Sequence, residues 1–321
     1  MNQAPTTNSV FRDNTQLSGY KTCPRFFQLR HVFNFRPDRA AMPLIFGSCW
    51  HSAMDTVWGQ ARNFSPVDLR KFATLKFLEK WEEEGMSLEL DLEAIERLGA
   101  RTPAVAEEML AHYIEQRWQI LTTCEVVAIE QPFAVPLPGM VDTWYCGKLD
   151  KVIKYNGQTL IVEHKTTTAY KVDGGFRNDY IESWDSHGQI KGYEYGGSLY
   201  YGADQVWVDA ALIHKKVHDK FRFIPVSHQQ MMLDEWIGGT VDWIKKLDGD
   251  TTFSKNEENC FGKFGPCAML DICRHCPEPK NLQGIPEGYI VEEWSPFETL
   301  GLDKLIKQDD LLCQPEKSSP P

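Results

Sequence analysis

The amino-acid sequence predicts a mixed α/β fold: a core sheet flanked by helices, with a helical N-terminal part and a C-terminal cysteine cluster. Three patterns carry that expectation. Residues 44–123 hold long segments of helical apolar periodicity. Residues 125–168 hold three runs rich in β-branched and aromatic residues, two of them joined by Asn156-Gly157. A helical segment over 183–200 then separates these runs from two further strand patterns, the order of a sheet with a crossover.

Each element has its own reasons. Residues 44–62 read as a helix. The next helix starts at Ser65, a good N-cap, with Pro66 in its first position and Asp68 near its positive end. Phe72, Leu75, Leu78 and Trp81 form its expected apolar stripe, and Gly85 stops it. A third helix covers 103–122, with Val105, Met109, Tyr113 and Arg117 at i+4 spacing. Strands are expected over 125–135, 143–155 and 158–168, and again within 204–216 and 220–226, before a helix over 228–247. The first 15 residues and the tail "QPEKSSPP" are polar and are expected to be loose. One domain over 16–277 is expected, with a helical part at 44–123 and a core at 125–247, followed by a C-terminal extension over 278–321.

The 321 residues are 42% hydrophobic and 25% charged, ordinary for a folded protein. A formal net charge of -11 argues against broad nonspecific binding of polyanions, but it leaves room for a local basic groove. No apolar run approaches the roughly 18 residues of a membrane span. The N-terminus has neither the basic nor the apolar region of a secretory signal, so a cytoplasmic location is expected, in a prokaryote or a phage-infected host. In a reducing compartment the nine cysteines are better read as metal ligands than as disulfides.

The segment "GKLDKVIKYNGQTLIVEHKTTT" carries the chemistry. Asn156-Gly157 is a strong signal for a two-residue type I′ hairpin turn. Such a turn sets Tyr155 against Gln158 and, counting back, Lys151 against Val162. The next pair is Asp150 against Glu163, with Cβ atoms roughly 4.5–5.5 Å apart. Two like charges there repel, and a divalent cation between them would reverse the sign. Lys165 points to the same face as Glu163. Carboxylates that hold Mg2+ or Mn2+, beside a lysine that orients water or stabilises charge, suit phosphodiester hydrolysis. An exposed hairpin with scattered charges is the plainer alternative, and a β-bulge would break the register.

These residues resemble the core of the PD-(D/E)XK nuclease superfamily, with Asp150 followed by Glu163-His164-Lys165, and so a restriction-endonuclease-like fold. The RecB-like branch also places a histidine in a Gly-x-x-x-His context, matched by Gly47 and His51 in "FGSCWHSAMD". It places Gln-x-x-x-Tyr after the lysine strand, matched by Gln189 and Tyr193 in "HGQIKGYEYG". The resemblance implies that His51, Asp150, Glu163 and the backbone carbonyl of His164 hold the metal, and that Lys165 is the catalytic lysine. Gln189 and Tyr193 would contact the DNA backbone or order the site.

One group in this branch, which includes AddB and CRISPR-associated nucleases and resembles many phage exonucleases, closes its nuclease domain with an iron-sulfur cluster. It uses one cysteine before the core and three after it. By that resemblance Cys23, Cys260, Cys267 and Cys273 would hold a 4Fe-4S cluster, with Cys276 as an alternative ligand. The Cys267–Cys273 spacing agrees with the group, whereas the gap between Cys260 and Cys267 is longer than the group's. A Zn2+ site of Cys260, Cys267, Cys273 and Cys276 is the competing reading. Cys49, Cys124, Cys146 and Cys313 match no ligand spacing, and Cys49 and Cys146 neighbour proposed site residues.

The stretch "CPRFFQLRHVFNFR" interleaves Arg25, Arg30, His31 and Arg36 with Phe26, Phe27, Phe33 and Phe35. It reads either as a surface for single-stranded DNA, with Arg25 and Arg30 on phosphates, or as an amphipathic segment with a buried aromatic face. The sequence holds no phosphate-loop motif, so unwinding would come from a helicase or a recombination or CRISPR partner. The expected activity is exonucleolytic, on single strands or DNA ends. An endonuclease or nickase, a non-catalytic DNA-binding or assembly subunit, and a zinc-stabilised enzyme of other chemistry are the alternatives.

Overall fold

The computed structural model describes residues 5–305 except 7, 172–173, 215–219, 263–264 and 277. In chain order, β1 (Val10–Asp13), α1 (Asn14–Thr22) and α2 (Pro24–Phe27) lead through a π-helical turn to β2 (Phe35–Pro37). Helices α3 (Met42–Gln60), α4 (Pro66–Glu83), α5 (Leu92–Leu98) and α6 (Pro103–Thr123) follow. Next come β3 (Glu125–Pro136), β4 (Thr143–Tyr155), β5 (Gln158–Thr167), α7 (Asn178–Glu182), α8 (Gly188–Tyr201), β6 (Gln205–Leu212), β7 (Phe221–Val226) and α9 (Gln230–Gly249). Beyond these lie β8 (Phe261–Gly262), β9 (Gly265–Pro266), α10 (Leu270–His275), β10 (Tyr289–Val291) and α11 (Pro296–Leu300).

The described residues fall into two compact units. One comprises residues 40–131 and 149–229, the other residues 1–39, 132–148 and 230–321. In the first, the sheet order is β4-β5-β6-β7, antiparallel, then parallel, then antiparallel, so the sheet is mixed as expected. The connection from β5 to β6 runs through α8, because parallel neighbours need a crossover. Helices α3 and α6 pack on the sheet, and α4 packs against both helices. Trp50, Trp58, Phe77, Trp81 and Tyr113 from the helices share a buried core with Ile153, Leu160 and Val162 from the strands.

Local chemistry sets the helix limits. Ser65 accepts the backbone N–H of Asp68, Thr102 that of Val105, and Asp91 that of Ala94. The helix α5 was not expected from the sequence. Asp91 caps it and Gly99, at φ 61°, ends it. The buried row of α4 also differs from the expected stripe. Leu69, Ala73, Phe77 and Trp81 face the core, whereas Phe72 and Leu75 are exposed. Ala73 explains the difference: its small side chain lets an i+4 ridge pack closely, while Phe72 turns aside to meet Phe64 at 4.7 Å. The helix expected over 183–200 is α8, with its start moved to Gly188; the short α7 before it was not expected.

In the second unit, β1 runs parallel to the first part of β4, pairing Val10 with Thr143 and Asp13 with Cys146. Residues 10–15, inside the stretch expected to be loose, are therefore strand and helix. The segment after residue 278 is also structured: β10 pairs antiparallel with β2, and Phe297 and Leu302 pack against Phe11 and Trp144. The tail over 314–321 and Cys313 lie outside the described residues. Leu29, Phe35, Met269 and Ile272 form another small core here. No helix among the described residues is long and apolar enough to cross a membrane.

The buried row of α4 can be checked. Phe77→Ala is expected to lower the unfolding free energy by roughly 3–5 kcal/mol, and Phe72→Ala by less than about 1 kcal/mol. Urea denaturation distinguishes them; equal losses would refute the assigned face.

Candidate functional site

The hairpin turn has the expected geometry, with φ of 49° at Asn156 and 78° at Gly157. Its ladder follows the expected register from Tyr155 opposite Gln158 to Lys151 opposite Val162. There it ends, one pair short of Asp150 opposite Glu163. Two like charges held directly across a ladder are unfavourable. Asp150 Oδ2 instead accepts the backbone N–H of His164 at 2.8 Å.

The first unit nevertheless gathers the expected residues. His51, on α3, sets Nδ1 3.3 Å from Asp150 Oδ2. Lys165 Nζ lies 2.5 Å from Glu163 Oε1. Gln189 Nε2 donates to the same oxygen at 3.1 Å and to the Tyr193 hydroxyl at 2.8 Å. The i, i+4 pair on α8 therefore orders Glu163. Gly197 seats that helix, since a Cβ there would collide with Ile161 of β5. Glu163 Oε2 is buried and has no hydrogen-bond partner among the described residues.

The electrostatics separate the two carboxylates. Burial raises the pKa of Asp150, but His51, Lys151 and His164 outweigh it and hold Asp150 well below the usual range. Burial and the charge of Asp150 push Glu163 up to about 7. Burial also works against charge on His51 and Lys165, yet the neighbouring carboxylates raise both. Two adjacent carboxylates with opposite shifts are a frequent mark of a functional site.

Sequence reasoning missed several participants. One ligand atom each from His51, Glu130 and Asp150 lies within 4.8 Å of the others. The sequence marks Glu130 only as part of a strand. Lys151 is fully buried and donates to Asp55 at 2.6 Å, which ties α3 to β4 beside His51 and Asp150. Below the site, Asp209 Oδ2 accepts from the Tyr113 hydroxyl at 2.5 Å and lies 3.1 Å from His164 Nδ1. Trp58 donates to Tyr113 at 2.9 Å. Burial keeps the His164 imidazole toward its neutral form. The spacing of Asp55 four residues after His51 was a readable signal, whereas the Asp209 network joins residues distant in sequence.

In the second unit Cys23, Cys260, Cys267 and Cys273 line one cavity of about 450 Å³, together with Phe26, Leu270, Lys255 and Arg274. The Asn256 N–H donates to Cys23 Sγ at 3.4 Å. Burial raises the thiol pKa of Cys267 and Cys273. Cys276 is not part of that lining; its thiol donates to the Glu278 carbonyl at 3.2 Å. Cys49, Cys124 and Cys146 are buried. Arg25 and Arg30 belong to this unit too. Arg25 Nε donates to the Phe253 carbonyl at 3.1 Å, and Arg30 Nη1 lies 3.5 Å from the Glu292 carbonyl. Phe27 and Phe35 are buried, and Phe26 and Phe33 pack against the cluster that holds Phe35, which favours the buried aromatic face.

A family model of the PD-(D/E)XK nuclease superfamily matches residues 14–277. A comparison with curated proteins returned no match. Among solved structures, one match is a Eubacterium rectale protein assigned as an exonuclease, with 15% identity, a TM-score of 0.49, and coverage of 92% of this chain and 98% of that one. Another is an alkaline exonuclease from Laribacter hongkongensis, with 10% identity, a TM-score of 0.28, and coverage of 64% and 92%.

The shift at Glu163 predicts a stability effect. Its pKa rises from 4.5 to about 7 on folding, so its contribution is fully present below 4.5 and is lost as pH climbs through 7. In the metal-free protein, kept in chelator, Glu163→Gln should raise the thermal midpoint at pH 8 and gain less at pH 5. Differential scanning fluorimetry tests this; an equal effect at both pH values contradicts it.

Proposed function

The chain belongs to the PD-(D/E)XK nuclease superfamily, and from that premise we propose that it is a divalent-metal-dependent deoxyribonuclease acting as an exonuclease. The observation that carries the reading is the meeting of Asp150, Glu163 and Lys165: Lys165 holds Glu163 Oε1, while Glu163 Oε2 is buried with no hydrogen-bond partner among the described residues. Such an oxygen is costly without a donor or a cation, and Asp150 beside it adds repulsion. Asp150, Glu163 and His51, with the His164 carbonyl, are the groups that would hold Mg2+ or Mn2+. Bound there, the cation would supply a water of lowered pKa and a countercharge for the phosphoryl oxygens.

The chain's own groups do the rest. Lys165 stays cationic beside Glu163 and can orient the attacking water or stabilise charge as it develops. Gln189, braced by Tyr193, holds Glu163 in one orientation. Superfamily membership points to DNA as substrate. Exonuclease action on single strands or ends rests on the RecB-like arrangement of His51, Gln189 and Tyr193.

We assign the cavity of the second unit to a 4Fe-4S cluster held by Cys23, Cys260, Cys267 and Cys273, in place of zinc. Four thiols facing one cavity of about 450 Å³ suit a cluster better than a single ion. The N–H from Asn256 to Cys23 Sγ is the kind of bond that stabilises cluster sulfurs. Lys255 and Arg274 at the lining offset thiolate charge. Cys276 is left out because its thiol points to Glu278.

Asp150→Asn, Glu163→Gln and Lys165→Ala should each slow cleavage by at least about a hundredfold while the protein stays folded. Labelled linear single- and double-stranded DNA, with Mg2+, Mn2+ or chelator, provides the assay. Wild-type rates in all three variants would remove the proposal, and cutting of closed circles as fast as linear DNA would make the enzyme an endonuclease.

Anaerobically purified protein should be brown, with about four irons per chain. Cys23→Ala should lose the colour and Cys276→Ala keep it; colourless protein with stoichiometric zinc would sink the cluster assignment.

A further inference from the structure

Glu130 sits in the middle of β3 with a φ of 50°. Side chains other than those of Gly, Asn and Asp seldom occupy that left-handed region. One such residue breaks the alternation of faces along a strand. Its backbone therefore releases Glu130 from the face that its neighbours dictate. Its carboxylate arrives beside His51 of α3 and Asp150 of β4, with a ligand atom of each residue within 4.8 Å of the others.

That spacing suits one ion. An octahedral cation with ligands at about 2.1 Å separates neighbouring donors by roughly 3.0 Å and opposite donors by roughly 4.2 Å. The three donors come from three different elements, so an ion among them would join α3, β3 and β4. A second observation points to a cation in this site. Glu163, whose Oε1 is taken by Lys165 and Gln189, keeps Oε2 buried with no hydrogen-bond partner among the described residues. The nearby Asp55 does not compete for the role, because Lys151 takes it at 2.6 Å.

We propose that Glu130 is a ligand of the divalent-cation site, completing a set with His51 and Asp150 that the nuclease motifs do not include. The inference deepens the metal-dependent nuclease reading and rests on it. It gives β3, which carries no motif residue, a direct part in the site. It also accounts for a left-handed residue inside a strand, since relaxing Glu130 to an extended conformation would turn its carboxylate away.

Binding of Mn2+ alone, without DNA, tests this. The full-length protein is titrated with Mn2+ and the free ion is followed by its electron paramagnetic resonance signal. Glu130→Gln should weaken binding by at least about tenfold. Glu130→Gly, which tolerates the positive φ, should weaken it as much and guards against a backbone artefact. Asp150→Asn provides the reference loss. If both Glu130 variants bind Mn2+ as the wild type does while Asp150→Asn does not, the inference is overturned and the nuclease reading stands. If the wild type binds no better than Asp150→Asn, the metal-dependent reading itself fails, and the inference with it.

Discussion

The candidate site depends on keeping one buried carboxylate, Asp150, ionised. Removing a carboxylate from water is expensive, and it stays charged only when donors and cations surround it. Asp150 has the His164 N–H at 2.8 Å and His51 at 3.3 Å, with Lys151 adding its charge. These partners come from α3 and from both strands of the hairpin, so satisfying Asp150 also sets the positions of the other site residues. With Asp150 ionised, its neighbour Glu163 becomes the carboxylate that resists ionisation, and its pKa moves to about 7. The same two residue types thus acquire different properties from their surroundings alone.

A layer of polar contacts supports this arrangement from below. The fully buried Lys151, paired with the half-buried Asp55, ties the helix that bears His51 to the strand that bears Asp150. Asp209 gathers Tyr113 and His164, and Arg117 comes within 3.6 Å of its other oxygen. Removing one member of such a network strands a charge or a donor in a dry interior, which costs more than the bond itself contributes. The effect of any one change should therefore spread to His164, whose N–H and imidazole serve Asp150 and Asp209.

What could be read from the sequence was what is local. The turn, the strand limits and the ladder down to Lys151 and Val162 all follow from Asn156-Gly157 and alternation. Gln189 and Tyr193 were readable because i, i+4 spacing places them on one helix face. The ladder's end before Asp150 was not, since there the Asp150 carboxylate takes the His164 N–H, a contact that counting register does not show. The buried face of α4 was misread because large apolar residues mark two rows that share Trp81, and the small Ala73 decides between them. Strand β1 was missed because its partner lies more than a hundred residues on and its four residues, Val10–Asp13, are too few to show a pattern. Glu130 left no mark in the pattern, because a single backbone angle places it.

The cysteines show the opposite relation between sequence and space. Cys23 and the group from Cys260 to Cys273 belong to one compact unit, while the whole sequence of the other unit runs between them. A cluster held by these four thiols would close that long intervening loop. Closing a loop restricts the unfolded chain, and the restriction grows only slowly with loop length. Most of the gain therefore comes from joining the segments at all. Packing in this unit is divided between small clusters around Phe11 and Trp144 and around Leu29 and Met269. Small cores of that kind supply limited stability on their own. The cavity is walled by Phe26 and Leu270 and sits beside the second of these clusters, so a bound cluster would add to that small core.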